Sequence, residues 1–336
     1  MNSTRNINIT LGLVILLIVL FFADLYIGST KINLLQGLSD ILEDRDSPDS
    51  AILWQLRLPK VITALLSGAS LSVAGAIMQA IFRNPLAGPY VLGISSGASL
   101  GVAILTMLAS AIGISTYVLG NWSLAMFSIL GAALVMSVIV SVSRKINDPT
   151  TLLIIGVLFG SIASAIINLL QSISNPDSLK LFINWTLGSL DTVNWNQLGI
   201  VIPCTLICLI VACSQCKSLD AVLLGEDQAE TLGISPKRTR NVCIVLTCLL
   251  AGMTTAFTGP IGFIGIAVPH LVRSLYKTSR HIHVIPGSIL CGSSLLIACD
   301  IVSHLPNNGY ILPLNAICAV IGAPIVTLII LKGRKR

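Results

Sequence analysis

Arg57–Gly101, RLPKVITALLSGASLSVAGAIMQAIFRNPLAGPYVLGISSGASLG, decides how this chain folds. Two cations flank a proline, and Val61–Phe82 then carries no charge. The run breaks at RNPLAGP and resumes uncharged from Tyr90. Ala64, Gly68, Ser72, Ala76 and Ala80 recur at every fourth position, as do Gly93, Gly97 and Gly101. Residues so spaced share a helix face. Small side chains there let backbones approach closely in lipid, where packing rather than water exclusion drives association. The stretch reads as a tightly packed membrane hairpin with functional polar ends.

Composition extends that reading to the whole chain. Of 336 residues 54% are hydrophobic and 10% charged, with a mean hydropathy of +0.90. A soluble protein of this size needs more charge to cover its surface. Runs long enough to span a bilayer recur, and they lack the alternation of a transmembrane barrel. The fold class is an all-α polytopic membrane protein in contact with lipid. About ten spans are predicted, over 10–28, 61–81, 90–110, 122–142, 151–172, 193–213, 241–258, 261–279, 285–304 and 312–331. The first has neither the basic flank nor the small-residue site of a cleavable signal.

With the N-terminus inside, the inner segments hold Arg5, Arg83, Arg144, Lys145, Lys217, Lys237, Arg238, Arg240, Arg273, Lys277, Arg280, Lys332, Arg334, Lys335 and Arg336. The outer segments hold Lys31, Arg45, Arg57, Lys60 and Lys180. Fifteen against five is a positive-inside bias placing both termini in the cytoplasm. The net charge of +6 therefore reports membrane orientation and not nucleic-acid binding.

In chain order, KINLLQGLSDIL suits a short interfacial helix, within an outer segment carrying Asp40, Glu43, Asp44, Asp46 and Asp49. Arg57 and Lys60 at the mouth of the second span suit either snorkelling anchors or docking cations for an acidic partner. Arg83–Pro89 is a tight inner turn. Asp148 or Thr150 is expected to cap the fifth span, with Pro149 in its first turn. Gly156 and Gly160 form a further close-packing face there. Residues 173–191 are read as an outer connector with Trp185 at the interface. Ala221–Leu232 reads as one amphipathic cytoplasmic helix stopped by Gly233.

Glycine and proline at 259–269 break helix and are expected inside protein or beside a cavity. His270 suits a structural hydrogen bonder, and no second ligand is spaced to make it a metal site. Asp300 lies inside a span and is a functional suspect on that ground; the expectation is a structural pair with His304, four residues on. Cys213 and Cys216 have CxxC spacing, and the cysteines are expected to pack as small apolar side chains.

Pro59-Lys60 and Pro236-Lys237 each precede a span, and Gly88-Pro89 and Gly259-Pro260 each open the next. The offset of five spans reverses orientation, which predicts an inverted repeat of spans 2–5 and 7–10. The chain reads as a single permease domain over 1–336, with repeats at about 57–172 and 236–331 and a coupling segment at 214–240.

These residues carry a resemblance. The 57–101 stretch, LLGEDQAETLGI at 223–234, GPIGFIGIAVPHLVRSL at 259–275, ACDIV at 298–302 and LPLNAICAVIGAPI at 312–325 together resemble the FecCD family. Its members are permease subunits of type II ABC importers for iron–siderophores, haem and vitamin B12. The resemblance implies a subunit of the bacterial inner membrane that dimerises, with a second copy or a paralogue, around a central pathway. It implies two cytoplasmic ABC ATPase subunits below and a periplasmic binding protein above. By position, Arg57 and Lys60 match docking cations, and His304 stands where a third is usual, making that contact weaker or pH-dependent. Asn84 and Leu86 match an inner gate, with Thr150 its companion. Leu224, Gly225, Glu226, Ala229, Leu232 and Gly233 fall in the element that couples to the ATPase.

No G-x-x-x-x-G-K-[ST] sequence occurs, so this chain is not expected to cradle ATP phosphates or act as an enzyme itself. ATP and Mg²⁺ belong to the partner, and no cofactor or metal is expected on this chain. A ferric siderophore or haem is the favoured cargo, with cobalamin the alternative. The rival reading is a proton-coupled secondary transporter using Asp300 and His270. An enzyme with His270, Arg273 and Asp300 at its site lacks a nucleophile with a base at suitable spacing.

Overall fold

A computed structural model describes residues 2–28, 33–43, 47–108, 120–143, 145, 148–306 and 311–333. Among these residues the regular structure is helical throughout. The helices are α1 (Asn2–Tyr26), α2 (Leu34–Leu42), α3 (Pro48–Ile81), α4 (Ile94–Leu108), α5 (Asn121–Ser143), α6 (Pro149–Ile173) and α7 (Pro176–Thr186). They continue with α8 (Trp195–Ser214), α9 (Cys216–Leu224), α10 (Glu226–Thr231), α11 (Pro236–Thr258), α12 (Ile264–Tyr276), α13 (His281–His304) and α14 (Leu314–Gly333).

Each predicted span coincides with a helix, although 109–110 of the third lie outside the described residues. Among the described residues seven helices are long and apolar enough to cross a membrane; α4 and α14 present shorter apolar stretches there, and α12 has 13 residues. The late starts of α4 and α12 have a local cause. Pro89–Leu92 winds as a 3₁₀ turn, and Gly93 (φ +74°) opens α4 from the left-handed region. Before α12 the chain is irregular from Gly259 to Phe263, where Gly262 N–H finds Asn315 Oδ1 at 2.9 Å. Irregular backbone at this depth is tolerated because it lies inside protein; Ile261 is fully buried.

Helix α3 is the axis of the molecule. Of its most apolar window 89% is buried, against 11% for α1 and 22% for α6, which leaves those two facing outward. α4, α5 and α6 pack together, as do α12, α13 and α14. α3 packs on α12 and α13, while α11 packs on α4 and α5, and the two cross-packed helices touch each other. Each half therefore lends its first helix to the other. The small residues make these crossings. A methyl group on Gly68 would overlap the Gly292 carbonyl, one on Gly101 the Phe127 carbonyl, and one on Gly97 the Gly131 carbonyl and Val135. Gly156 sits against Val91 in the same way, and Gly160 against Ser96 Oγ. Ser72 Oγ donates across the α3–α13 contact to Ser288 O at 2.7 Å.

One local expectation changes and two become specific. Ala221–Leu232 is two helices, because Gly225 (φ +136°) breaks the run between α9 and α10. The outer connector contains α7, started by Asn175 Oδ1 accepting from Ser178 N at 2.9 Å and by Pro176 at its first position. Of the two candidate caps for α6, Asp148 is the one used: its carboxylate accepts from Thr151 N at 2.9 Å and Thr150 N at 3.2 Å. The interfacial helix is present as α2; Lys31, Asp44, Arg45 and Asp46 lie outside the described residues.

Candidate functional site

At the inner end, α3 runs into the turn that leads to α4. Asn84 Oδ1 accepts from Leu86 N at 2.9 Å, an Asx turn that leaves Leu86 exposed. His270 Nε2 lies 2.6 Å from Pro85 O, and Arg273 donates to Gln79 Oε1, so α12 holds the turn from one side. Arg83 holds it from the other. Its backbone is left-handed (φ +45°), and its Nη2 donates to Val222 O at 2.7 Å. That carbonyl is in the last turn of α9, where it also accepts from Gly225 N at 3.3 Å and a cation is favoured. A cleft of about 490 Å³ opens here, lined by Ile81, Phe82, Arg83, Asp148, Thr150, Val222 and Glu226. Glu226 also faces Arg240 of α11 at 3.8 Å. Ala229 is buried with Ala221 and Val222 in a small core, while Leu224 and Leu232 are exposed, at 63% and 61%.

At the outer end, charges are buried. Arg57 is 5% exposed and Lys60 4%. Arg57 Nη1 donates to Leu25 O at 2.5 Å and Tyr26 O at 2.8 Å, capping the open carbonyls of α1. Lys60 Nζ lies 2.8 Å from Asp300 Oδ2 and 3.6 Å from Asp24 Oδ1. His304 Nδ1 lies 2.9 Å from Asp300 O and 2.8 Å from Ser303 Oγ, and 3.8 Å from the Asp300 carboxylate.

The chain matches the FecCD transport family over residues 16–332. It belongs to that family. This FecCD chain is 34% identical over 325 residues to the vitamin B12 import system permease protein BtuC of Klebsiella pneumoniae, covering 97% of this chain and 94% of that one. It is 33% identical to the uncharacterised ABC transporter permease protein YvrB of Bacillus subtilis, covering 89% and 84%. A solved structure described as an inward-facing, metal-chelate type ABC transporter superposes with a TM-score of 0.84 at 29% identity, covering 97% and 99%. The fold is also that of a PsaBC chain from Streptococcus pneumoniae, at a TM-score of 0.53 and 15% identity. The FecCD chain is thus an ABC importer permease, an all-helical subunit of the type II kind.

Within the permease, the structure brings Thr150 and Glu226 into one cleft beside the turn of Asn84 and Leu86. Gly233 follows α10 with φ +76° and lines a neighbouring cleft with Gln215 and Arg238. The docking expectation for Arg57, Lys60 and His304 meets a different geometry. All three are buried, because the cations hold α1 and Asp300 instead of projecting outward. Asp300 takes its cation from Lys60 and not from His304. Asp300 and His270 do not form one site: one sits at the Lys60 level and the other at Pro85, separated by roughly 30 Å of helix. The CxxC cysteines are free, and burial pushes the Cys216 thiol up to about 11, away from the reactive thiolate.

Two functional-looking residues escaped sequence reasoning. Asp24 is fully buried in the first span; its signal was an acid near the outer end of an apolar run. Arg83 counted only as an inner cation, and its contact with Val222 has no local signature.

Proposed function

We propose that this FecCD permease passes a bulky metal chelate, of the cobalamin, ferric siderophore or haem class, from an outer binding protein to the cytoplasm. It sits in the bacterial inner membrane with both termini inside, paired with a second permease subunit. Two separate ATPase subunits press on α9 and α10, and no chemistry is done on the cargo. The observation that carries this reading is the bond from Arg83 to Val222 O, which ties the turn at the inner mouth to α9. Movement of α9 and α10 therefore displaces the turn directly. The exposed Leu224 and Leu232 offer a partner apolar contact on that same element. The names of BtuC and of the metal-chelate type transporter support the cargo class.

The test is reconstitution of the permease with its ATPase and binding protein in liposomes, supplied in turn with labelled cobalamin, haem and a ferric siderophore. One cargo is expected to accumulate only with ATP. Arg83→Ala is expected to lower transport about tenfold while ATP hydrolysis persists, the loss of one charge-assisted hydrogen bond. Import at full speed without the ATPase overturns the reading.

A further inference from the structure

We infer that Asp220 and His281 form the joint by which α9 carries the α12–α13 hairpin with it, so that the inner turn is displaced from both sides together. This rests on the reading that an ATPase presses on α9. The first amides of a helix have no partner within it, and the N-cap residue of α13, Arg280, makes no capping side-chain bond. Asp220 of α9 supplies the acceptor from another element. Its Oδ1 accepts from His281 N at 2.9 Å and from His281 Nδ1 at 2.6 Å. A carboxylate is favoured at a helix N-terminus, and a bond to a charged acceptor is the stronger kind. His281 is fully buried, and its Nε2 meets no hydrogen-bond partner among the described residues. The setting of that ring therefore hangs on a carboxylate of α9.

The joint closes a ring of contacts around the turn. Residues 277–280 connect α12 to α13, with Arg280 N donating to Thr278 Oγ1 at 3.2 Å. The two helices lie close, since a methyl group on Gly287 would overlap Val272 and crowd Tyr276. Such packing moves as a piece and does not deform smoothly. α12 carries His270, 2.6 Å from Pro85 O, and Arg273, which donates to Gln79 of α3. From the other side Arg83 reaches Val222 O of α9 at 2.7 Å. The turn is thus gripped by α9 at Arg83 and by α12 at Pro85. Were α9 to slide without the hairpin, one grip would open. Asp220 prevents this by fixing α9 to the start of α13. The Ser72–Ser288 bond and the Gly68–Gly292 contact then pass the displacement to α3. Asp220 is a positioning residue, acting through His281 and the hairpin.

The test uses the permease assembled with its ATPase and binding protein in liposomes, given labelled cobalamin, haem and a ferric siderophore in parallel. Transport and ATP hydrolysis are measured together. Asp220→Ala is expected to lower the cargo moved per ATP by about tenfold while hydrolysis continues. Asp220→Asn keeps an acceptor oxygen in place and should stay within about threefold of the wild type. A merely structural cap predicts that transport and hydrolysis fall together and their ratio holds; that result overturns the inference, as does an Asn variant as uncoupled as Asp220→Ala. Should Asp220→Ala fail to fold, spin labels decide on the intact pair. Lys217→Cys on α9 and Ile282→Cys on α13 are exposed sites, used with Cys213→Ser. Their separation is expected to be the same with and without ATP, and a separation that changes overturns the inference. A wild-type complex that imports none of the three cargoes with ATP overturns the proposed function and the joint with it. Import by the wild type with an unchanged ratio in Asp220→Ala overturns the joint alone.

Discussion

Lys60→Met removes the ammonium beside Asp300 and Asp24 while keeping an apolar stem of similar length. Lys60 is 4% exposed, with Asp300 at 2.8 Å and Asp24 at 3.6 Å, so the carboxyls it leaves behind cannot be rescued by bulk water. A carboxylate deprived of its cation there must take up a proton to become neutral. Moving an ordinary aspartate with a pKa near 3.9 to its protonated form at pH 7 costs about 4 kcal/mol, at 1.36 kcal/mol per unit. That agrees with the ~3–5 kcal/mol found when one partner of a buried pair is deleted. The folded-to-unfolded ratio should fall by about a thousandfold. The penalty is the cost of neutralising a carboxylate deprived of its cation, so it shrinks as pH falls, by about 1.4 kcal/mol per unit down to roughly pH 4. Denaturant unfolding of the solubilised chain near pH 7 and near pH 5 measures both features. The triple variant Lys60→Met, Asp24→Asn, Asp300→Asn should recover most of the loss, since an uncharged set carries no unpaired charge. A Lys60→Met protein that unfolds at the wild-type midpoint near neutrality refutes the reasoning.

Gly75→Val places a branched side chain on the Gly265 carbonyl; it should destabilise by about 1–3 kcal/mol or more, read as a lowered thermal midpoint. Arg57→Gln should free the last carbonyls of α1 and speed amide exchange at Leu25–Gly28, with unchanged exchange in α4. Donors from Thr151 and Thr150 hold the Asp148 carboxylate below its usual range, so its cap on α6 is present at neutral pH and lost only on acidification through that lowered value. Carboxyl carbon NMR should show the low midpoint, and Thr151→Val should raise it.

The periodicities of 57–101 were sufficient to place two helices and their packing faces. Gly68 and Gly101 meet neighbouring backbones because a spacing of four keeps small residues on one stripe. The glycine–proline breaks at 88–93 and 259–263 were legible for the same reason: their backbone limits are local. The split at Gly225 was less so, since one glycine within an amphipathic run is compatible with either a break or a continuous helix.

Sequence by itself determined what depends on neighbours along the chain: the spans, their caps, the turns and the helical class. Tertiary structure alone decided what Arg57, Lys60, Asp24 and Asp300 do, and that Arg83 reaches Val222. Helix periodicity says which face a charge occupies, not which distant helix lies opposite it. In a low-dielectric interior that opposing partner, at 2.8 Å for Lys60 and Asp300, fixes whether a cation is an outer docking point or an internal clasp.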